Sequence, residues 1–229
     1  MHIPDGFLNA GTSVGGGVVA AGGLTLCVRR TADVLEDKQI PLAGLVAAFI
    51  FAVQMLNFPV ANGTSGHLLG AVLAAVLVGP YAGALAVTVV LIVQALLFAD
   101  GGVTALGLNV TNMALLGTAA GYLVIVALLR LRIPLFATAL LASVISVLVA
   151  AQGFVLEYAL GGGNGLSVGA MFAAMSGSHL LIGLGEGLIT AVTVAAVARS
   201  RPDLVYALRR RPVESSSDRH VVQGAPHVA

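Results

Sequence analysis

The stretch Pro134–Tyr158 reads PLFATALLASVISVLVAAQGFVLEY and carries one charged residue, Glu157. A helix that crosses a bilayer needs about 20 consecutive, mostly apolar residues, so this stretch predicts a membrane-spanning helix. The remainder of the 229-residue chain has the same character, because 58% of its residues are hydrophobic, 9% are charged and the mean hydropathy is +1.00. Soluble domains carry about 25% charged residues. The composition therefore predicts an all-α, polytopic membrane protein.

Seven apolar stretches separated by turn residues are predicted to span the membrane. They are Ala10–Val28, Pro41–Phe58, His67–Val78, Ala82–Ala99, Leu106–Leu129, Pro134–Tyr158 and His179–Ala198. Residues 1–199 form the predicted membrane domain. Residues 200–229 are polar and rich in arginine, and they are predicted to form a cytoplasmic tail with a short helix at Pro202–Arg211 followed by disorder.

The eleven Lys and Arg residues all fall on one side of a chain with seven spans. Three lie between spans one and two, two between spans five and six, and six after span seven. The positive-inside rule places that side in the cytoplasm, so the N-terminus is predicted outside and the C-terminus inside. We expect a multi-pass protein of a bacterial inner or plasma membrane, whose basic tail contacts anionic lipid.

The chain begins Met1-His2-Ile3-Pro4-Asp5-Gly6-Phe7-Leu8, without the basic region that opens a cleavable signal peptide. A free Met1 α-amine, the His2 amide and His2 Nδ1 are three successive nitrogens that close a five- and a six-membered ring on a metal ion. We call these three nitrogens the amino-terminal clamp. Planar nitrogen coordination favours Ni(II) or Cu(II) over zinc. Many proteins begin with Met-His, so the pattern indicates a metal site only if a further ligand is found.

His67 is the candidate for the fourth nitrogen. It follows Gly66, begins an apolar stretch and lies on the same predicted side of the membrane as His2. Polar groups at membrane depth are costly and tend to mark function, although a hydrogen-bonded structural histidine is the alternative. Outer-facing polar side chains are candidates to orient a ligating imidazole, with a turn-forming role as the alternative for each. They are Asp5, Asn62, Asp100 and Asn109.

His179 and Glu186 are seven residues apart, which is two helical turns, so they share one face of the last predicted span. Both are candidates for a pathway that the metal follows through the protein. A structural hydrogen bond is the alternative for Glu186.

Several blocks, in order along the chain, resemble the CbiM/NikM family, the substrate-capture subunits of cobalt and nickel energy-coupling-factor transporters. The blocks are Met1–Leu8, Asn62–Gly70, Gln94–Gly102, Ala105–Asn109, and Ser178-His179 with Gly185-Glu186-Gly187. The resemblance covers about Met1 to Ala198. It implies seven helices and a metal site made by Met1 (amine), His2 (amide and ring) and His67 (ring).

The same resemblance implies ATP-driven import of Ni²⁺ or Co²⁺ as cargo, in a setting such as cobalamin biosynthesis, with no organic cofactor and no nucleic acid. The expected partners are a transmembrane coupling subunit and two ATPase subunits, with room for a small accessory membrane subunit. Lys38 is the only lysine and follows Asp37, so the chain has no Gly-Lys-Ser/Thr of a phosphate-binding loop. The chain is therefore expected to be a transport subunit, not an enzyme.

Two alternatives remain open. A single-chain permease would move metal without ATP, but it would typically carry several His and Asp residues inside its spans. An intramembrane serine protease of the rhomboid type is suggested by Gly63-Thr64-Ser65-Gly66, with His179 as the base. Against the protease, Ser65 precedes the third span, and the glycine spacing after His179 differs from that of rhomboids. The choice between nickel and cobalt also stays open.

Overall fold

The computed structural model describes residues 1–34, 39–59, 65–163 and 165–209. Within these residues the regular structure is helical apart from one two-stranded antiparallel pair, β1 (Phe58–Pro59) and β2 (Ser65–Gly66). The prediction of an all-α polytopic membrane protein is confirmed. The helices are α1 (Ala10–Val34), α2 (Ile40–Gln54), α3 (Ala71–Val78), α4 (Pro80–Leu97), α5 (Leu106–Asn109), a π-helical turn (Val110–Leu116), α6 (Gly117–Arg130), α7 (Leu135–Gly161) and α8 (Val168–Ser200).

Five helical stretches in the described part of the chain are long and apolar enough to cross a bilayer. They are α1, α4, the continuous run from α5 to α6, α7 and α8. Helix α2 is apolar but has 15 residues, about 22 Å at 1.5 Å per residue, which is less than the hydrocarbon thickness of about 30 Å. The count of seven spans and the orientation of the chain therefore stay predictions.

The third predicted span, His67–Val78, is not one continuous helix. Its helical part, α3, has eight residues and all of them are buried. Residues 65–70 precede it as non-helical chain, which we call the His67 segment. Backbone of this kind at membrane depth is tolerated only where protein surrounds it and satisfies its polar groups. Gly70 makes the turn into α3 with φ +74°, and a Cβ there would lie 2.7 Å from Ile50 Cγ1.

Helix α7 extends to Gly161, three residues beyond the predicted span. Glu157, the charged residue of the predicted span, is buried on this helix, and Asn112 Nδ2 donates a hydrogen bond to its Oε2 at 2.6 Å. Asn112 lies in the π-helical turn. This hydrogen bond joins α7 to the π-helical turn through buried side chains, while Asn112 Oδ1 has no hydrogen-bond partner among the described residues.

Helix α8 begins at Val168, well before the predicted start at His179. The side chain of Ser167 caps it by accepting a hydrogen bond from the amide of Ala170 at 3.1 Å, a common signal for a helix start. Small residues bring α8 close to α7. A Cβ at Gly187 would lie 2.8 Å from the carbonyl oxygen of Leu140, so the two backbones approach as closely as glycine allows.

The predicted helix Pro202–Arg211 is replaced within the described residues by two short 3₁₀ turns, Pro202–Leu204 and Tyr206–Leu208. Val205 between them is fully buried. Tyr206 packs against the ring of Tyr122, with ring centroids 6.3 Å apart. This part of the predicted tail therefore packs on the helices. The rest of it, from residue 210 onward, lies outside the described residues.

Candidate metal centre

The first three residues fold back into the protein. Met1, His2 and Ile3 are 1%, 4% and 0% exposed. Asn109 pins Ile3 from both sides: its Oδ1 accepts from the Ile3 amide at 2.8 Å, and its Nδ2 donates to the Ile3 carbonyl at 3.2 Å. The amide of Gly102 donates to the same carbonyl at 2.9 Å. The two peptide groups that flank the Ile3 Cα are thus fixed by a distant part of the chain.

Asp5 fixes the next turn of residues 1–9, which we call the amino-terminal segment. Its Oδ1 accepts from both the amide and the hydroxyl of Thr104, at 2.7 and 2.5 Å. These hydrogen bonds, the hydroxyl's first, lower the pKa of the Asp5 carboxyl. Farther along, the amide of Asn9 donates to the carbonyl of Gly161 at 2.9 Å. The segment is therefore held along its length from Ile3 to Asn9.

Glycines leave the space that the segment occupies. A Cβ at Gly101 would lie 2.8 Å from His2 Nδ1, and a Cβ at Gly102 would overlap the backbone nitrogen of Asp5. Gly101 also has φ +93°, a conformation that other residues rarely adopt. The Asp100-Gly101-Gly102 turn is thus shaped to receive residues 2–5.

The folded segment brings His2 against His67. Their ring centroids are 4.5 Å apart with an angle of 28° between the planes. His67 is fully buried, and its Nδ1 lies 2.7 Å from the carbonyl oxygen of Leu68. Because a carbonyl only accepts, Nδ1 carries the hydrogen and Nε2 carries a free lone pair. That Nε2 is buried and has no hydrogen-bond partner among the described residues.

The electrostatics of the segment favour neutral nitrogen ligands. Burial lowers the pKa of the Met1 α-amine well below its usual value, and the negative charge of Asp100 opposes this only in part. Burial, followed by repulsion from the amine, lowers the pKa of the His2 imidazole to about 3. Burial therefore favours the unprotonated form of both groups, whose lone pairs are able to bind a metal ion.

The predicted orienting residues have varied positions. Asp100 Oδ2 lies 3.7 Å from His2 Nε2, and it accepts a hydrogen bond from Asn57 Nδ2 at 2.9 Å. Asp5 and Asn109 hold the backbone of the segment, and the structure gives them no hydrogen bond to either imidazole. Asn62 lies outside the described residues. The group that orients His67 is a backbone carbonyl, which no side-chain pattern in the sequence reveals.

Glu186 and Gln54 hold the His67 segment in place. The Glu186 carboxylate accepts from the amide of Leu69 at 2.6 Å through Oε2 and from the amide of Gly70 at 3.1 Å through Oε1. Gln54 Nε2 donates to the carbonyl of Leu69 at 2.6 Å. These are backbone groups that a continuous helix would satisfy internally. Sequence reasoning missed Gln54, although a polar residue within an apolar span is the signal that could have found it.

His179 is also fully buried, on α8. Its Nδ1 lies 2.9 Å from the carbonyl oxygen of Met175, so Nδ1 carries the hydrogen and Nε2 the lone pair. Within the described part of the chain that Nε2 has no partner. His179 and Glu186 thus share a buried face, as their spacing predicts.

No group of three or more His, Cys, Asp or Glu side chains that could hold a metal ion occurs among residues 1–34, 39–59, 65–163 and 165–209. A site with three or more ligands among these residues would include main-chain nitrogen or other atoms beside such side chains. The amino-terminal clamp is a set of ligands of that kind, since two of its three nitrogens belong to the main chain.

Comparison with known proteins gives one consistent result. Residues 2–204 match the family described as CbiM, "Cobalt uptake substrate-specific transmembrane region". A putative fused nickel transport protein NikMN from Archaeoglobus fulgidus is 42% identical over 205 residues, covering 90% of this chain and 68% of that protein. A cobalt transport protein CbiM from Geobacter sulfurreducens is 34% identical over 212 residues, covering 90% of this chain and 61% of that protein.

Solved structures agree with the sequence matches. The crystal structure of a truncated transition metal transporter superposes with a TM-score of 0.84 and 29% identity, covering 87% of this chain and 99% of that one. The relatives named are transport proteins from archaea as well as bacteria. The serine-protease alternative therefore has no support, and a bacterial origin does not follow from the resemblance.

Proposed function

The chain belongs to the CbiM family of cobalt uptake substrate-specific transmembrane proteins, and from that premise we propose that it captures Ni²⁺ or Co²⁺ for import across the membrane. The observation that carries the proposal is the buried amino-terminal segment, which brings the His2 ring to 4.5 Å from the His67 ring. The two rings belong to residues far apart in sequence. A structural histidine pair would not require a buried chain terminus beside it.

The proposed ligands are the amino-terminal clamp (the Met1 α-amine, the His2 amide and His2 Nδ1) and His67 Nε2. Four nitrogens in a plane suit Ni²⁺, and no residue named here separates Ni²⁺ from Co²⁺. The lone pair of an imidazole nitrogen lies in the plane of its ring, and the planes of the His2 and His67 rings are nearly parallel. Both lone pairs can therefore point at one ion only if the angle between the two ring planes becomes larger than 28°. The fixed Ile3 backbone leaves the His2 side chain and the Met1 residue as the parts that adjust.

We infer that the energy for import comes from separate subunits. The chain lacks the Gly-Lys-Ser/Thr of a phosphate-binding loop, so a transmembrane coupling subunit and ATPase subunits are the proposed partners. Uptake into vesicles separates this assembly from a single-chain permease. Vesicles that hold only this chain should not accumulate metal, and accumulation without ATP and partner proteins would favour the permease.

Replacing His67 with alanine is expected to lower Ni²⁺ affinity by about 100-fold or more, because loss of an orienting outer-shell partner alone costs about 10–100-fold in metal sites. Isothermal titration of the purified full chain in lipid nanodiscs measures the change. Ser143→Ala removes a buried hydroxyl on α7 that bonds within its own helix and serves as the control. Native affinity in the His67→Ala chain would rule out the proposed site.

The Ni²⁺ affinity is expected to fall as the pH is lowered from 7.5 to 5.5. Deprotonation of the His2 amide alone makes affinity change about tenfold per pH unit. Burial lowers the pKa of both the amine and the His2 imidazole, so the buried segment is favoured above their unfolded values, about 8 and 6.5. Below those values the protonated, undocked segment is increasingly favoured, and it competes with the metal-bound form.

Equilibrium dialysis with Ni²⁺ at a series of pH values measures this dependence. The slope of log affinity against pH should be at least about one and should steepen below about pH 6.5. A flat affinity across the whole range would contradict ligation by an amide and an imidazole.

A further inference from the structure

Among the histidines that the structure describes, His179 has the one buried imidazole that the proposed metal site does not use. It is 0% exposed, and its Nε2 lacks a hydrogen-bond partner in the described part of the chain. Burying a polar nitrogen without a hydrogen-bond partner costs free energy, so an atom of this kind in a folded protein calls for an explanation. The carbonyl of Met175 holds Nδ1 at 2.9 Å, so the nitrogen left over is the one with a free lone pair.

The position of His179 follows from the contacts of Glu186. Glu186 lies beside Leu69 and Gly70, and His179 is seven residues earlier on the same face of α8. Seven helical residues rise about 10.5 Å, and three residues of extended chain cover about 10 Å. His179, two helical turns before Glu186, therefore lies at the level of Gly66–His67, at the start of the His67 segment.

A contact between elements agrees with this register: strand β2, which forms the start of the His67 segment, lies against α8. The unpartnered Nε2 atoms of His67 and His179 thus lie in the same buried layer, His67 next to the amino-terminal clamp and His179 on α8.

We propose that His67 Nε2 and His179 Nε2 form a second binding position for Ni²⁺ or Co²⁺, which the ion occupies when it leaves the amino-terminal clamp. This inference rests on the proposed function and extends it to the step after capture. Two neutral imidazoles suit both ions. A pair of side chains without chelate rings holds an ion more weakly than the amino-terminal clamp, as a position on the way to release requires.

A two-by-two set of full-length chains in nanodiscs tests the proposal. One pair begins at Met1 and the other carries three added glycines before Met1, which removes the amino-terminal clamp and keeps His2 out of the third position, where it would chelate Ni²⁺ with the new terminus. Each pair is made with His179 or with His179→Ala. Titration with Ni²⁺ and with Co²⁺ measures affinity, and ¹⁵N-histidine NMR of the extended chain follows the His179 ring as metal is added.

In chains that begin at Met1, His179→Ala should change affinity by less than about threefold, since the amino-terminal clamp and His67 remain. In the extended chains a weaker site should persist, and His179→Ala should weaken it by at least about tenfold, the scale of losing a group that supports a metal. Thr190→Ala, another buried polar residue of α8, should leave the weaker site unchanged. The His179 Nε2 resonance should shift as Ni²⁺ or Co²⁺ fills that site.

The inference is overturned if the extended chain binds no metal, or binds it equally well with and without His179, or binds it without a change in the His179 resonance. These outcomes leave the proposed function intact. An extended chain that binds as tightly as the native one would instead remove the proposed function. The NMR measurement uses the unaltered histidine, so it decides the question even if His179→Ala fails to fold.

Discussion

Adding three glycines before Met1 is expected to lower the affinity for Ni²⁺ by about 1,000-fold or more, because joined ligands gain about 10²–10⁴-fold over separate ones. The extension turns the Met1 amine into an amide and places the free amine four residues before His2. A single added residue would not serve, because a histidine in third position chelates Ni²⁺ in a plane through the free amine, two amides and its own Nδ1. With three added residues the chelate rings that join amine, amide and Nδ1 are lost together. The added residues also have no place in the structure, since Met1 is 1% exposed and Ile3 is held by Asn109.

The matched control carries the same three glycines at the C-terminus, which leaves the amino-terminal clamp untouched. Mass spectrometry of both proteins must show that Met1 begins the native chain and that the three glycines are retained in the variant. Isothermal titration then compares the two affinities, and thermal unfolding checks that the helices remain intact. Equal affinity in the two proteins would mean that the terminal amine is not a ligand.

Much of the candidate site could be proposed from sequence because its chemistry is local. The chelate rings of the amino-terminal clamp are set by the covalent structure of Met1-His2, whatever the fold. His67 stands out because an imidazole at the start of an apolar stretch is costly unless it is used. The structure then places the His2 and His67 rings 4.5 Å apart. What sequence could not supply was the means of docking, because the Asn109–Ile3 and Asp5–Thr104 hydrogen bonds each join residues about a hundred positions apart.

The irregular third span shows the opposite case. The residues from His67 to Val78 are apolar, and a short apolar run reads alike whether it forms a buried helix or buried extended chain. The deciding groups are Gln54 and Glu186, which bond the backbone at residues 69 and 70 from two other helices. Neither side chain is adjacent in sequence to the backbone that it stabilises. The local pattern therefore predicts a span here but not its conformation.

The start of α8 illustrates a third limit. Residues 161–167 contain several glycines, and small residues continue to Ser178, so the sequence pattern predicts a last span that starts only at His179. In the structure Ser167 caps a helix that starts at Val168. Buried contacts of Met171 and Met175 offset the weak propensity of the neighbouring glycines. Tertiary packing outweighs local preference here, as it commonly does in helices.

Replacing Glu186 with leucine is expected to destabilise the protein by about 3–5 kcal/mol and to weaken Ni²⁺ binding together with it. The change removes the acceptor of two buried hydrogen bonds, and each backbone amide left unpaired costs about 1–3 kcal/mol. The amides of Leu69 and Gly70 would lose their partner, and the His67 segment has no helical hydrogen bonds at those positions to replace it. Reversible unfolding in mixed detergent micelles measures the loss of stability, and titration with Ni²⁺ measures binding.

Two further variants separate support of the His67 segment from general stability. Glu186→Gln keeps one carbonyl oxygen that can still accept one of the two hydrogen bonds. It should therefore lose about half as much stability as Glu186→Leu and keep part of the metal affinity. Glu157→Leu removes another buried carboxylate, whose partner is the side chain of Asn112 instead of the His67 segment. It should cost about 1–3 kcal/mol in stability and leave the affinity of the folded protein for Ni²⁺ nearly unchanged. If Glu186→Leu bound Ni²⁺ as tightly as the native chain, His67 would not depend on α8 for its position, because a ligand whose backbone support had been removed would have kept its geometry.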